Sequence, residues 1–543
     1  MNDQANEIGP TRPRGYPPNP PSRVPRFEFS RELSRQEREL AENPLVRRFA
    51  ASRSAYANDR FRPAFHFVSP ESTLNDPNGL CRWQGRWHLF YQAYPPEDPR
   101  QHWGHAVSDD LVRWRDLPYA IYPGPEDCCF SGSTLVEDDR VIAIYHGTKA
   151  GTMVAVSSDP LLLNWKKLGD GPVIPMAGPD DPDLPYAVFD PCIWKEGEVY
   201  YALTGGSLPT GPGGKERANA FLHRSTDLLR WEYVHPFVVN DAISLVGDDL
   251  ACPYFWPIGD HHILLHFSHM SGGRYLLGDY DREAHSFVVA DGGRFNFGPV
   301  SPGGVHAPSA TPGEDGSVVA LFNMNPAVPG APGGWDQIMT LPRRLSLAGA
   351  PHRDRLRTEP AGDVASLRRD HRAISDRELP ANEDVLLDGT EGDVLEIRAA
   401  IDPGEAAAVE LGVLRSPDAE EVTRIVYVPR GGYRRHDFGR HNHPTVRFPG
   451  AVSLDTTRSS TGPDVLCRLP ENADVLLEDG ETLDLHVFVD RSIVEVFVNG
   501  KQALAARVYP HREDSTGVAL RARGRAARLI HLDAWRMASI YAR

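Results

Sequence analysis

Ser108-Asp109-Asp110-Leu111-Val112-Arg113-Trp114 recurs, little changed, as Ser225-Thr226-Asp227-Leu228-Leu229-Arg230-Trp231. A looser copy runs from Ser157-Ser158-Asp159-Pro160-Leu161 to Asn164-Trp165. Each copy follows a strand-like segment: His105-Ala106-Val107, Ala220-Phe221-Leu222-His223 and Val154-Ala155-Val156. A repeated turn closed by an apolar wedge is what radially stacked sheets need, because every sheet must offer its neighbour the same surface. The segments 140–145, 198–203, 262–267 and 318–323 are short, apolar and bounded by Gly, Pro, Asn and Asp, so they predict strands. The chain reads as all-β.

The remainder of the chain frames that repeat. A Pro- and Arg-rich tail from Pro10 to Pro25 is expected to be mobile, and the charged piece from Arg31 to Arg53 to be helical. A polar stretch around Ala348–Arg372 suggests a connection. Strands resume beyond it at 394–399, 422–428, 483–489 and 493–498, with Asp490-Arg491-Ser492 as a tight hairpin. Leu485, Val487 and Val489 alternate with Asp484, His486 and Phe488, as in a sandwich strand.

Composition narrows the function. The 543 residues carry a net charge of −16, which argues against nucleic acid and anionic membranes as main partners. No apolar run approaches the roughly 20 residues of a membrane span. The six cysteines, Cys81, Cys128, Cys129, Cys192, Cys252 and Cys467, include no C-x-x-C pair. A disulfide framework or structural zinc is therefore not expected, and with a polar N-terminus a cytoplasmic location follows.

One short stretch reads as chemistry. Asn75-Asp76-Pro77-Asn78-Gly79 places a carboxylate in what is expected to be a rigid turn ahead of the strand Trp87–Gln92. Pro77 fixes its own φ and turns Asp76 away from helix, and Asn78-Gly79 supplies turn residues.

With further pieces in order, the sequence resembles glycoside hydrolase family 32, the β-fructofuranosidases that include invertase, inulinase and levanase. The pieces are His66-Phe67, Asn75–Gly79, Phe90-Tyr91-Gln92, His102–Ser108, Phe130-Ser131-Gly132-Ser133, Phe189-Asp190-Pro191, Cys252-Pro253, Trp335, Met339–Arg343 and Val489–Phe497. The resemblance runs from about His66 to the end. It implies a five-bladed β-propeller with a central funnel, followed by a C-terminal β-sandwich. The expected division is an extension over 1–62, a propeller over 63–355, a linker over 356–374 and a sandwich over 375–543. It also implies a retaining glycosidase without cofactor, taking a small-molecule or oligosaccharide substrate with a fructose-type furanosidic linkage. Asp76 matches the nucleophile, and Asp190 the acid that holds ring hydroxyls and steadies the transition state. Asn75, Gln92, Trp103, Phe130 and Ser131 match the sugar-contacting positions.

Four positions depart from the family pattern. Ala251 stands where the family has its acid/base Glu, before Cys252-Pro253. Phe189 replaces an Arg, Thr73 a Trp and Tyr254 an Asp. Two readings follow. In one, the site is rebuilt and the proton comes from elsewhere. Asp249, two residues from Ala251 on one strand face, is the first candidate, ahead of Glu71, His306 and His102. In the other, the protein binds a furanose or fructan without hydrolysing it. Metal-like spacing at His102/His105 and at His436, His441 and His443 lacks Cys or carboxylate partners, so no metal is expected. Gly211–Gly214 and Gly303-Gly304 lack a phosphate-loop ending and read as loops, and no serine-hydrolase motif is present.

Overall fold

A computed structural model describes residues 19–176, 184–297, 303–328, 334–348, 356–430, 449–467 and 469–541. Five mainly antiparallel sheets follow one another along the chain, with innermost strands Leu74–Trp83, Cys129–Val136, Pro191–Glu196, Ala251–Ile258 and Val305–Pro312; the short strand Val238–Val239 adds a parallel edge to the fourth. Each innermost strand packs against the next, and the fifth packs back on the first. That cycle closes a five-bladed propeller around a central axis.

The repeated motif has a geometric meaning. All three copies form the corner between the third and fourth strands of blades one, two and three. Leu111, Leu162 and Leu228 each stand three residues before the Trp, and each has a left-handed backbone. The Asp oxygens accept the backbone N–H groups that the corner exposes: Asp110 from Val112 and Arg113, Asp227 from Leu229 and Arg230, Asp159 from Leu163 and Asn164. Trp114 and Trp165 are buried, whereas Trp231 is half-buried. The fourth blade caps the same corner with Asp281, bonded to the N–H groups of Glu283 and Ala284, without a Trp. The side-chain cap therefore defines the corner, and the indole is an accessory.

Bulges aim residues into the funnel. The innermost strands of blades one, two, four and five all slip register near their N-terminal ends. Asn75–Gly79 is accordingly part of a strand and not the free-standing turn expected from Pro77 and Gly79. An extra residue bends the strand there and re-aims its side chains. Gly79 has φ +49°, and a Cβ there would lie 2.6 Å from Thr134 Cγ2, so glycine is required.

The second module packs two six-stranded sheets around an apolar core. In the strand Leu483–Asp490, Leu485, Val487 and Val489 face that core. Phe488, on the opposite face, is not solvated as the alternation suggests: it packs with Phe65, Phe497 and Leu341 against the propeller. Leu356–Pro360, expected in the connection, is the outermost strand of the fifth blade, and Arg368–Leu379 already belongs to the sandwich. Polar composition there marks exposed edge strands. Helices α1 (Leu33–Glu42) and α2 (Pro44–Ala55) lie along the first blade. Residues 10–18 of the Pro- and Arg-rich tail lie outside the described residues. The described part is pinned, with Ser22 bonded to His102 and the Arg23 N–H to Asp98.

A buried polar cluster joins the modules. Asp490, in the sandwich, accepts from the backbone of Ala64, Phe65 and His66 and from His66 Nδ1. Glu495 accepts from His66 Nε2, from Leu341 N–H and from Arg343. Burial opposes a charge on His66, but the hydrogen bonds to Asp490 and Glu495 outweigh it and raise the imidazole to about 9. A group raised in the folded state contributes stability below its unfolded value, near 6.5, and loses it as pH climbs to the folded value. Denaturant unfolding should therefore show roughly 3 kcal/mol lost between about pH 6.5 and pH 9. His66→Gln should flatten that slope.

Candidate active site

At the funnel floor, residues from separate blades meet around one carboxylate. Asp76 Oδ2 accepts from Ser131 Oγ at 2.7 Å and Gln92 Nε2 at 3.3 Å, and Oδ1 lies 3.2 Å from His306 Nδ1. Burial pushes this carboxyl up, but the hydrogen bond and charge of His306, with Ser131, hold it below the ordinary carboxylate range. Asp76 is thus kept ionised. Asp190, immediately before the innermost strand of the third blade, is pushed up to about 6 by burial and by the charge of Asp76. The two acids share a neighbour. Cys252 Sγ lies 3.2 Å from Asp190 Oδ2 and 3.6 Å from Asp76 Oδ2, and Cys252 N–H donates to Asp190 at 3.0 Å. Cys252 sits in the fourth-blade bulge with φ +49°, which turns both donors toward the carboxylates.

Aromatic side chains surround the acids. Phe130 faces His146 at 6.0 Å between ring centroids, His146 faces Phe189 at 5.8 Å, and Phe267 lies against His306 at 3.8 Å. Apolar walls around a few aimed polar groups suit a sugar ring.

The expected site residues divide. Asp76, Asp190, Gln92 and Ser131 meet as anticipated in position, although Gln92 and Ser131 spend hydrogen bonds on Asp76. Asn75 is half-buried and accepts from Asn323. Phe130 is half-buried on the wall. Trp103 corrects the expectation: it is fully buried, its Nε1–H donates to Phe130 O, and its ring packs against Phe90 and Tyr145. It supports the Phe130 backbone from beneath and cannot touch a ligand. Asp249 is also not a free acid. It is bonded through both oxygens to His269, so it holds that histidine instead of offering a proton. Its neighbour Asp248 is buried and bonded to Ser268, Ser271 and Arg274. Glu71 is tied to Arg48 and Tyr119, and His102 to Ser22 and Arg100 O. Neither is at the floor. Cys252, His146 and His269 were missed, because only the bulge and the hairpin register bring them in. His105 bonds His88; His436, His441 and His443 lie outside the described residues. Among the described residues no cluster of His, Cys, Asp and Glu has metal-holding geometry, and no helix is long and apolar enough to cross a membrane.

Two acids brought together at the floor of a funnel suit cleavage of a glycosidic bond. Residues 66–360 match the glycosyl hydrolases family 32 N-terminal domain, and residues 363–536 match the family's C-terminal domain. The chain belongs to glycosyl hydrolase family 32. It is 27% identical over 489 residues to a sucrose-6-phosphate hydrolase of Escherichia coli, covering 84% of this chain and 90% of that protein. It is 28% identical over 506 residues to a levanase of Bacillus subtilis, covering 85% and 68%. The crystal structure of fructan 1-exohydrolase IIa from Cichorium intybus superposes with a TM-score of 0.75 at 21% identity, over 89% of this chain and 98% of that one.

Cys252 offers a direct probe of the floor. Burial first, then the charges of Asp190 and Asp76, raise its thiol well above the ordinary value. In the native protein, iodoacetamide should label the exposed Cys467 and leave Cys252 unmodified until denaturant is added, as read by peptide mass spectrometry.

Proposed function

We propose that this glycosidase cleaves a β-fructofuranosidic linkage, as in sucrose, fructo-oligosaccharides or fructans, with retention of configuration. Asp76 attacks the anomeric carbon as the bond to the leaving oxygen breaks, giving a fructosyl ester that water then hydrolyses. Asp190 accepts hydrogen bonds from ring hydroxyls and balances the positive charge that develops on the ring. Phe130 and Phe189 wall the ring, and Gln92 and Ser131 fix the nucleophile's orientation. The observation that carries the reading is Asp76 itself, a carboxylate kept ionised in an almost closed site with a second acid beside the same thiol. A protein that only bound sugar would have little use for that ionisation. The named relatives act on sucrose phosphate, levan and fructan, which supports a fructosyl unit in the site. Cysteines that form no disulfide support a reducing, cytoplasmic setting as part of the same reading.

The test is release of fructose from sucrose, inulin, levan and an aryl β-fructofuranoside. Asp76→Ala should lower kcat/KM on every active substrate by about 10⁴-fold or more, in the range that loss of a covalent nucleophile costs. NMR of the first-formed anomer should show retention. Turnover surviving in Asp76→Ala would remove Asp76 from the nucleophile's role.

A further inference from the structure

Ala251 occupies the place of a proton donor, and the strand that carries it leads to one. Ala251 pairs with Phe267 across the first hairpin of the fourth blade. Just beyond the paired ends of those strands, Asp249 and His269 face each other. The pair is joined twice, His269 N–H to Asp249 Oδ1 at 2.9 Å and His269 Nδ1 to Asp249 Oδ2 at 2.6 Å. The dyad is about one-third exposed and Ala251 is buried, so the pair lies on the solvent side of Ala251. The His269 ring stands over the acids' surroundings, with its centroid 6.1 Å from His306, 5.3 Å from Phe267 and 6.4 Å from Phe189. With Nδ1 on Asp249, the opposite edge of the ring directs Nε2 away from that carboxylate.

We propose that His269 is the general acid/base of this enzyme and that Asp249 is its positioning residue, an inference that rests on the retaining fructosidase reading above. In the first step the His269 imidazolium gives its Nε2 proton to the leaving oxygen as the glycosidic C–O bond breaks and Asp76 bonds the anomeric carbon. In the second step neutral His269 takes a proton from water, whose oxygen displaces Asp76 from the sugar. Protons and charge return to the starting state. The same His–carboxylate pairing orients the ring and stabilises its charged form in hydrolases of unrelated fold.

The electrostatics agree. His269 is raised first by its hydrogen bond to Asp249, against burial, with the charges of Asp249, Asp190 and Asp76 adding to it. Among the described residues, those three carboxyls act on it and the His306 ring stands beside it. The other site histidines are less suited. His306 is already on the nucleophile, and His146 is buried and lowered to about 4 by desolvation. Asp190 shares the nucleophile's thiol neighbour, on the floor and not toward the mouth where a leaving group departs.

The test compares kcat/KM for sucrose and for an aryl β-fructofuranoside, whose phenolate leaves without protonation. His269→Gln should lower the sucrose value roughly 10²–10⁴-fold and the aryl value by less than about tenfold. It should abolish the alkaline limb of the sucrose profile, and azide should restore aryl turnover by giving fructosyl azide. Asp249→Asn should keep more activity and move the alkaline limb to lower pH. Unfolding midpoints report whether each variant folds; if His269→Gln does not, the shift in Asp249→Asn decides the question. Equal loss on both substrates, no loss on either, or leaving-group dependence that follows Asp190→Asn instead would overturn the assignment while leaving the fructosidase reading intact. A wild-type protein inactive on every fructoside would overturn both.

Discussion

A carboxylate cannot stay charged beneath a protein surface unless donors surround it, and no single sheet can surround a point on its own edge. This constraint organises the propeller. Asp76 comes from the first blade, as does Gln92; Ser131 comes from the second, Cys252 from the fourth and His306 from the fifth. The third blade adds Asp190. Donors to the central charge therefore come from the first, second, fourth and fifth blades, and the third brings the second acid, so the complete site needs the whole ring. Closure of the ring and competence of the site are one event. The bulges belong to the same logic, since a regular strand would send alternate side chains into neighbouring blades and leave the axis unserved.

The four departures from the family pattern make sense together. Tyr254, where the family has an acid, hydroxyl-bonds Gly132 O and Ser309 Oγ and accepts from Gly79 N–H, so it pins three other blades beneath the floor. Thr73 bonds Asp336 and the Leu74 carbonyl at the rim. Phe189 stands between His146 and His269, where an arginine would have placed a cation against an imidazole that is to carry charge. Ala251 is small and packs with Phe267, Ala307 and Phe189. One charged pair, Arg and Glu, is absent, and a histidine with its own carboxylate stands one strand pair away. The substitutions move the polar machinery outward without disturbing the scaffold.

Much of this was legible in the sequence, and the limits are physical. The corner repeat announced stacked sheets because an Asx cap and a left-handed residue leave a local signature. Asp76 and Asp190 could be located by their motifs. Trp103 was misplaced because aromatic residues serve equally as sugar platforms and as wedges, and only depth separates the two. Asp249 was found by strand periodicity, but its partner lies across a hairpin, and the register of that hairpin cannot be read from one strand. Cys252 was noted only as half of a Cys-Pro motif, since its approach to two acids depends on a positive φ within a bulge.

The junction between the modules carries a consequence for how such proteins diversify. His66, Arg343, Asp490 and Glu495 bond one another across the boundary, all of them buried. If the sandwich were exchanged for an unrelated module, the propeller would retain an arginine and a histidine facing a surface with no counter-charge. The two halves are consequently coupled through this junction. The sandwich, none of whose described residues reaches the funnel floor, serves as the counter-ion of the part that does.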